Sequence, residues 1–278
     1  MENAQLKIKC WDLRRNLVDI VMQGRCGHIG GDMSCLDIIM SIYDRMNINP
    51  NDSGNPNRDR FVLSKGHCVE ALYAVLADKG FLNLDDILAT YSKYQSKYIG
   101  HPNNKLNGIE MNTGSLGHGL SIGVGMALAA KMNNQSYRTY IVMGDGELAE
   151  GSVWEAAMAA SNFNLDNLCA VVDRNHLQIS GNTESVMKQD SVSARFEAFN
   201  WNVIELNNGN DIDQIVAALD AAEASKGKPT IIIANTTKGF GASIMENKAE
   251  WHHKVLTEES YQCIIEDLLT RKEATLHE

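Results

Sequence analysis

The sequence has 278 residues, 44% hydrophobic and 22% charged, a composition that supports one large α/β domain or two small ones with a sizeable core. The formal net charge of −10 argues against a surface for nucleic acid or for an anionic membrane. Six scattered cysteines without a C-x-x-C pair indicate reduced thiols, the N-terminus is too polar for a secretory signal, and no apolar run approaches a membrane span. These features predict a cytoplasmic protein.

Helices and irregular segments dominate the first part of the chain. Apolar residues at helical spacing predict helices over residues 6–23, 34–46 and 68–79, and FVL predicts a short strand. The glycine-rich stretch at 23–34, QGRCGHIGGDMS, is expected to be irregular. The segment 98–119, which contains GHP and GSLGHG, is the longest irregular one, and loops of that length in compact domains are usually functional or disordered.

The second part alternates regularly between strands and helices. Short apolar runs predict strands at 139–143, 168–172, 202–206 and 229–235, and helices are predicted between them, after a helix of small residues at 119–132. Continuous apolar strands that alternate with helices indicate a parallel sheet covered by helices on both faces. The fold class is therefore α/β, and we expect residues 1–278 to form a single domain without a linker. Ligands of such sheets bind beyond the carboxyl ends of the strands.

Two polar residues follow neighbouring predicted strands. Asp145 stands between Gly144 and Gly146 where one strand runs into a helix, and Asn175 follows the next strand. A carboxylate and an amide oxygen that converge there suit Mg²⁺, and Gly146 would let a phosphate approach the backbone at a helix N-terminus. An isolated Gly-Asp-Gly is more often only a tight turn, but Asn175 at the adjacent strand end favours a metal–diphosphate site.

This pattern, GDG followed after 28 residues by Asn, resembles the fingerprint of thiamine-diphosphate enzymes. Further segments are similar to the N-terminal part of transketolases, occur in the same order and cover nearly the whole chain. They are RDRFVLSKGH (58–67), GHP (100–102), TGSLGHGLSIGVGMALAAK (113–131), GDGELAEGSVWEAAM (144–158), LDNL (165–168) and MENKAEWHHK (245–254).

The resemblance implies a role for each matching residue. The implied ligands of Mg²⁺, or of Ca²⁺ or Mn²⁺, are Asp145, Asn175 and the carbonyl of Leu177. The implied contacts to thiamine diphosphate are made by His67, Gly114, Leu116, Gly144, Asp145, Gly146, Glu150, Asn175, Leu177 and His252. Glu150 also matches, with Glu155, the carboxylates near the dimer contact. The implied catalytic residues are His28, His67, His101 and His252.

Histidines suit ketol transfer because the reaction needs several donors around a polyhydroxylated sugar and proton movement near pH 7. A histidine taken at random is more often structural than catalytic. His28, His67 and His101, however, all lie in glycine-containing loops, and the EWH motif favours His252 over His253. Where much of the family has GHPG, this chain has GHIGGDMS, which bears on acceptor specificity more than on the chemistry.

Transketolases also contain a pyrimidine-binding domain and a C-terminal domain, which the matching segments do not cover. The resemblance therefore implies a subunit of a split transketolase, active only with a separate C-terminal subunit, with an α2β2 assembly and sugar phosphate substrates. That partner would supply the Glu that activates the aminopyrimidine and the residues that bind the sugar phosphate.

The expected reaction moves a two-carbon ketol unit from a ketose to an aldose. The alternatives are a transketolase for a sulfonated or branched sugar, another thiamine enzyme of the 2-oxoacid dehydrogenase or deoxyxylulose-phosphate synthase type, and a non-catalytic relative.

Overall fold

Five parallel strands form the central sheet of the computed structural model, which describes residues 1–277. The strand order is β1-β2-β3-β7-β6, and a two-residue hairpin, β4–β5, follows β3. The strands are β1 (Arg60–Leu63), β2 (Thr139–Gly144), β3 (Leu168–Arg174), β4 (Leu177–Gln178), β5 (Gly181–Asn182), β6 (Asn202–Leu206) and β7 (Thr230–Asn235).

Helices connect the strands and cover both faces of the sheet. Within residues 1–277, none of them combines the length and the apolarity that crossing a membrane requires. The helices are α1 (Asn3–Gly24), α2 (Ile29–Arg45), α3 (Val69–Asp78), α4 (Leu84–Thr90), α5 (Gly119–Met132), α6 (Gly151–Asn162), α7 (Thr183–Val186), α8 (Val192–Ala198), α9 (Ile212–Ala224) and α10 (Glu258–Leu276).

The sheet separates two hydrophobic cores. Tyr140 and Val142 of β2 pack with helices α1, α2, α3, α9 and α10 on one face, whereas Ile141 and Met143 pack with α5, α6 and α8 on the other. Successive strand residues point to opposite faces, so a strand buried on both sides is apolar throughout. This explains the continuous apolar runs in the sequence, and the predicted α/β class is confirmed.

The predicted irregularity of residues 23–34 is wrong for its second half, because α2 begins at Ile29 rather than near Ser34. The glycines there serve close packing. A Cβ on Gly30 would lie 2.6 Å from the carbonyl oxygen of Trp251, and one on Gly31 would lie 2.7 Å from Sγ of Cys68. Helices α4, α7 and α10 were not predicted at all.

A buried ion pair joins the first two helices. Both terminal nitrogens of Arg14 donate to the carboxylate of Asp37, and the two side chains are 1% and 2% exposed. The guanidinium lies 5.0 Å from the ring centroid of Trp11 and 4.8 Å from that of Phe240. The pair therefore fixes α1 on α2, the helix whose first turn reaches the strand ends.

We expect Asp37→Ala to lower the free energy of unfolding by about 3–5 kcal/mol, because it leaves the Arg14 guanidinium buried without its counter-ion. Urea unfolding of the isolated chain measures the change. Asp220→Ala is the matched control, since it breaks the more exposed pair with Arg45 and should remove less than about 1 kcal/mol. Equal losses in the two variants would contradict the assigned role of the buried pair.

Candidate active site

Asp145 and Asn175 lie side by side because their strands pair directly. Gly144 at the end of β2 is opposite Asp173 in β3, and the backbone N–H of Asp145 donates to the carbonyl of Asp173 at 3.3 Å. The Asp145 and Asn175 residues are only 3% and 5% exposed. The sheet thus brings a carboxylate and an amide to one point at its carboxyl edge.

A cavity of about 300 Å³ opens at this edge. Eleven of the twelve residues to which the resemblance gives a catalytic, cofactor-binding or metal-binding role line it, although they come from segments far apart in the chain. They are His28, His67, His101, Gly114, Leu116, Gly144, Asp145, Gly146, Asn175, Leu177 and His252. The cavity is also lined by residues that the sequence analysis missed, namely Lys65, Glu147, Gln178, Ile179 and Lys238.

Glu150 is the exception among the twelve. It lies outside the cavity, is exposed, and precedes the first residue of α6 as its N-cap. A Cβ on Gly117 would lie 2.5 Å from the Cβ of Glu150, so Glu150 packs against the loop that leads into α5. This position does not support a direct contact with a ligand in the cavity, and it leaves the carboxylate on the outer surface beside α5.

Buried Asp173 organises the floor of the site. It accepts hydrogen bonds from Lys65 and Thr236, from Ser34 Oγ at 2.6 Å and from the amide nitrogen of Asn175 at 3.3 Å. Burial favours a raised pKa for Asp173, but Lys65 and these hydrogen bonds hold the pKa below its usual value. Asp173 is therefore a carboxylate, and its bond to the amide nitrogen of Asn175 orients that side chain. In the sequence, the only sign of this role is that an apolar predicted strand is followed by Asp173.

The oxygen atoms around Asp145 fit a hard divalent cation. The Asp145 carboxylate accepts from the backbone N–H groups of Gly146 at 2.9 Å and His176 at 2.7 Å. Asn175 Oδ1 accepts from the backbone N–H of Leu177 at 3.1 Å, and the carbonyl of Leu177 accepts from Lys238 Nζ at 3.2 Å. Carboxylate, amide and carbonyl oxygens are the ligands that Mg²⁺ and Ca²⁺ prefer. The donor set therefore fits the cation implied by the sequence.

The charges on the site walls explain why an anionic ligand would need that cation. Two lysines, Lys65 and Lys238, face three buried carboxyl groups, Asp145, Glu147 and Asp173. Burial, and then the charge of Asp173, raises the pKa of Asp145 to about 6. A diphosphate alone would add negative charge to walls that already carry an excess of it, whereas a divalent cation would neutralise both.

Glycines let the backbone reach the cavity. A Cβ on Gly146 would lie 3.1 Å from Gln178 Oε1. Gly114 has a φ of +149°, and a Cβ there would lie 2.7 Å from Cδ2 of His101. A side chain at Gly114 would therefore displace His101, and one at Gly146 would narrow the path of a phosphate to the backbone.

Five histidine rings meet on one side of the cavity. The ring centroid of His28 lies 5.0 Å from that of His67, 6.4 Å from His101 and 5.6 Å from His252. His67 and His252 are stacked at 5.3 Å. His253, which the sequence analysis ranked below His252, also joins the cluster, with its centroid 4.7 Å from that of His28.

The four cavity-lining histidines are neutral at pH 7. Burial is the main cause that lowers each pKa, to about 4 for His28 and about 3 for His252, and the charges of neighbouring histidines and lysines lower these two further. The pKa values of His67 and His101 are lowered as well, by burial first. Neutral imidazoles both donate and accept hydrogen bonds, so the cluster offers donors and acceptors without a fixed positive charge.

A parallel α/β sheet with an oxygen-lined cavity and a histidine cluster at its carboxyl edge has its candidate site where sheets of this class bind phosphate-containing cofactors. Residues 7–270 match the family described as "Transketolase, thiamine diphosphate binding domain", and the chain belongs to this family.

Similar proteins agree with this assignment. The chain is 47% identical, over 98% of its length and 97% of the relative, to a protein of Phocaeicola vulgatus named as one subunit of an "Apulose-4-phosphate transketolase". It is 41% identical, over 87% of its length and 88% of the relative, to "6-deoxy-6-sulfo-D-fructose transketolase subunit SqwG" of Clostridium sp. (strain MSTE9). A crystal structure of transketolase from Campylobacter jejuni superposes with a TM-score of 0.87 at 30% identity, over 98% of this chain and 48% of that one. The chain thus spans about half of the solved transketolase.

The lowered histidine pKa values predict a pH dependence of folding. Below pH 6.5 the unfolded chain protonates His28 and His252, whereas the folded chain keeps them neutral. Their contribution to the free energy of unfolding is therefore complete above the unfolded pKa of about 6.5, and it is lost as pH falls towards the folded pKa values of about 4 and about 3. The double substitution His28→Gln with His252→Gln should reduce the fall in Tm between pH 7.5 and pH 4.5 by about 3 °C or more.

Thermal unfolding of the isolated chain across this pH range measures the effect. His118→Gln is the control, because His118 is exposed and lies outside the cavity. A double variant that loses as much Tm on acidification as the wild type would show that the histidines are not held neutral by the fold.

Proposed function

We propose that this chain is the diphosphate-binding subunit of a transketolase, which moves a two-carbon ketol unit from an anionic ketose to an aldose. The observation that carries the proposal is the single cavity in which the oxygen set around Asp145 and four neutral histidines come together. The family and the two relatives named as transketolase subunits support it. We further propose that the whole chain is one domain that acts in the cytoplasm, in agreement with six free cysteines among the described residues.

The cofactor would bind with its diphosphate at the carboxyl edge of the sheet. Asp145, Asn175 and the carbonyl of Leu177 would hold Mg²⁺, and Gly146 would allow a phosphate oxygen to approach the backbone. When bound, thiamine diphosphate supplies a carbon nucleophile and an electron sink for cleavage of the ketose carbon–carbon bond. Lys238, which donates to the carbonyl of Leu177, would add a positive charge beside the phosphates.

The histidines would position the sugar and move protons. Lys238 Nζ lies 3.1 Å from Nδ1 of His252, and because an ammonium group only donates, Nδ1 accepts and the ring proton is assigned to Nε2. The Nε2–H of His252 therefore remains able to donate to a substrate oxygen. His28, His67 and His101, neutral and in the same cluster, are able to accept the proton of a sugar hydroxyl as the carbon–carbon bond breaks.

A separate partner subunit would complete the site. The relatives named as subunits match this chain along almost all of their length, whereas the solved transketolase is about twice as long. We propose that the partner carries the pyrimidine-binding domain and that two copies of each chain form an α2β2 assembly. Met132, Met158 and Phe163 on α5, α6 and the loop after α6 are 74%, 58% and 46% exposed, and Glu150 at the start of α6 and Glu155 within it are exposed as well. These residues would be covered in the assembly.

The names of the relatives suggest the class of substrate. The first candidate donor is a branched ketose phosphate such as apulose 4-phosphate, because the relative with that name is 47% identical. The second candidate is a sulfonated ketose such as 6-deoxy-6-sulfo-D-fructose, after the relative that is 41% identical. Both candidates are anionic sugars. The residues of this chain would act on either donor in the same way, and the partner subunit would distinguish phosphate from sulfonate.

Asp145→Ala should weaken thiamine diphosphate binding by at least about a hundredfold in the presence of Mg²⁺, equivalent to about 2.7 kcal/mol. Loss of a cation ligand leaves the diphosphate beside uncompensated carboxylates, and even outer-shell changes at metal sites cost about 10–100-fold. Titration calorimetry of the assembled enzyme with and without Mg²⁺ measures the affinity. Asp220→Ala serves as the control because Asp220 lies in α9, outside the cavity. Unchanged affinity in the Asp145 variant would exclude the proposed metal site.

The purified chain should be inactive in a ketol-transfer assay and should become active when the pyrimidine-binding subunit is added. We expect kcat/KM to be highest for apulose 4-phosphate in a panel that also contains xylulose 5-phosphate and 6-deoxy-6-sulfo-D-fructose. A coupled assay of the aldose product measures the rates. Robust turnover by the chain alone would contradict the two-polypeptide enzyme, and no turnover with any ketose of the panel in the assembled complex would contradict the transketolase assignment.

A further inference from the structure

Two carboxyl groups are buried behind the histidine cluster. Asp32 lies in the first turn of α2, whose N-cap is His28, and Glu70 lies in the first turn of α3, which begins two residues after His67. Both acids are 0% exposed. The two helix N-termini that present catalytic histidines therefore meet at a pair of buried acids that the proposed reaction does not use.

Each acid has one satisfied and one unsatisfied oxygen. Asp32 Oδ1 accepts from the backbone N–H of Ala71 at 2.9 Å, and the Tyr91 hydroxyl donates to Glu70 Oε1. Asp32 Oδ2 and Glu70 Oε2 are buried and have no donor within residues 1–277. A buried acceptor without a donor is unfavourable, so a proton on one of the two acids would satisfy both of these oxygens at once.

The surroundings support at most one negative charge on the pair. The N-termini of α2 and α3 favour an anion there, but the nearest ammonium group, that of Lys65, is already bound to Asp173. The other titratable groups that face the pair are Cys68, the buried thiol of Cys35 that neighbours it, and the hydroxyls of Tyr73 and Tyr91, none of which is cationic.

The pKa values agree with this geometry. Burial raises the pKa of Asp32 to about 7, although the Ala71 N–H, Lys65 and a hydrogen bond with Glu70 act in the opposite direction. Burial, and then the charge of Asp32, raises the pKa of Glu70 well above its usual value. Because both pKa values are raised and the charge of one acid disfavours ionisation of the other, the pair retains at least one proton at neutral pH.

We propose that Asp32 and Glu70 share a proton as an acid pair that joins the first turns of α2 and α3 and so positions His28 and His67. The contacts to the histidine loops are close. A Cβ on Gly27, next to His28, would lie 2.8 Å from Glu70 Oε1, and one on Gly31 would lie 3.9 Å from Nε2 of His67. The catalytic role of the positioned histidines rests on the proposed function, whereas the existence of the shared proton is independent of it.

The shared proton makes the chain sensitive to alkaline pH. The pKa values of both acids are raised by folding, so their contribution to stability is complete below the unfolded pKa of about 4 and is lost as pH rises through the folded values, at and above about 7. Glu70→Gln keeps the shape and supplies an N–H donor to Asp32 while removing one ionisation. This variant should therefore retain the join between α2 and α3 without the pH dependence.

The first test uses the isolated chain and needs no activity. Infrared spectroscopy at pH 7 should show the carbonyl band of a protonated carboxyl group that Glu70→Gln removes or shifts. Between pH 6 and pH 9 the Tm of the wild type should fall by about 3 °C or more beyond that of Glu70→Gln. Glu259→Gln, an exposed glutamate in the first turn of α10, is the control and should behave as the wild type. A wild-type chain without the band, or a Glu70→Gln variant with the same alkaline loss, would overturn the shared proton.

The second test concerns positioning. The imidazole NMR signals of His28 and His67 in the isolated chain should shift in Glu70→Ala, return towards their wild-type positions in Glu70→Gln, and leave the signal of His118 unchanged. Unshifted His28 and His67 signals in a folded Glu70→Ala chain would overturn the positioning role. Because neither test measures ketol transfer, a failure of the transketolase assignment would leave their results unaffected and would be recognised separately in the assay of the assembled enzyme.

Discussion

The buried carboxylate of Asp173 is the contact on which the rest of the site depends. Four segments converge on it, through Ser34 from α2, Lys65 after β1, Asn175 after β3 and Thr236 after β7. A buried carboxylate is stable only when it is paired and hydrogen-bonded, and here the partners that stabilise Asp173 are also groups that line or support the cavity. The order of strands in the sheet determines which segments can reach it.

The same electrostatics explain how an acidic chain would accept an anionic cofactor. The carboxyl groups outnumber the lysines at the strand ends, and the histidines are held neutral by burial, so the walls supply little fixed positive charge. A divalent cation between the oxygen atoms and a diphosphate would supply it. The neutral histidines would then be available for the sugar, for which donors and acceptors matter more than charge.

Much of this arrangement could be predicted from the sequence. Apolar runs followed by Gly144-Asp145-Gly146 and by Asn175 are local signals, and the pairing of consecutive strands places both at one edge. The histidines could be brought together only through the resemblance to transketolases, because no local pattern relates His28 to His252. The buried pairs Lys65–Asp173 and Asp32–Glu70 could not be predicted, since they join residues 108 and about 40 positions apart and depend on how helices pack. The helical state of residues 29–34 was missed because glycines there serve close packing instead of a turn.

Locating the bound cation would test whether Asp145, Asn175 and Leu177 form the proposed metal site. Crystals of the assembled enzyme grown with thiamine diphosphate and Mn²⁺, an ion that anomalous scattering locates, would provide the measurement. We expect one peak per site within about 2.3 Å of side-chain oxygens of Asp145 and Asn175 and of the carbonyl oxygen of Leu177, with the diphosphate on its other side. A peak away from these three oxygens, or a diphosphate bound outside the cavity, would contradict the proposed metal site.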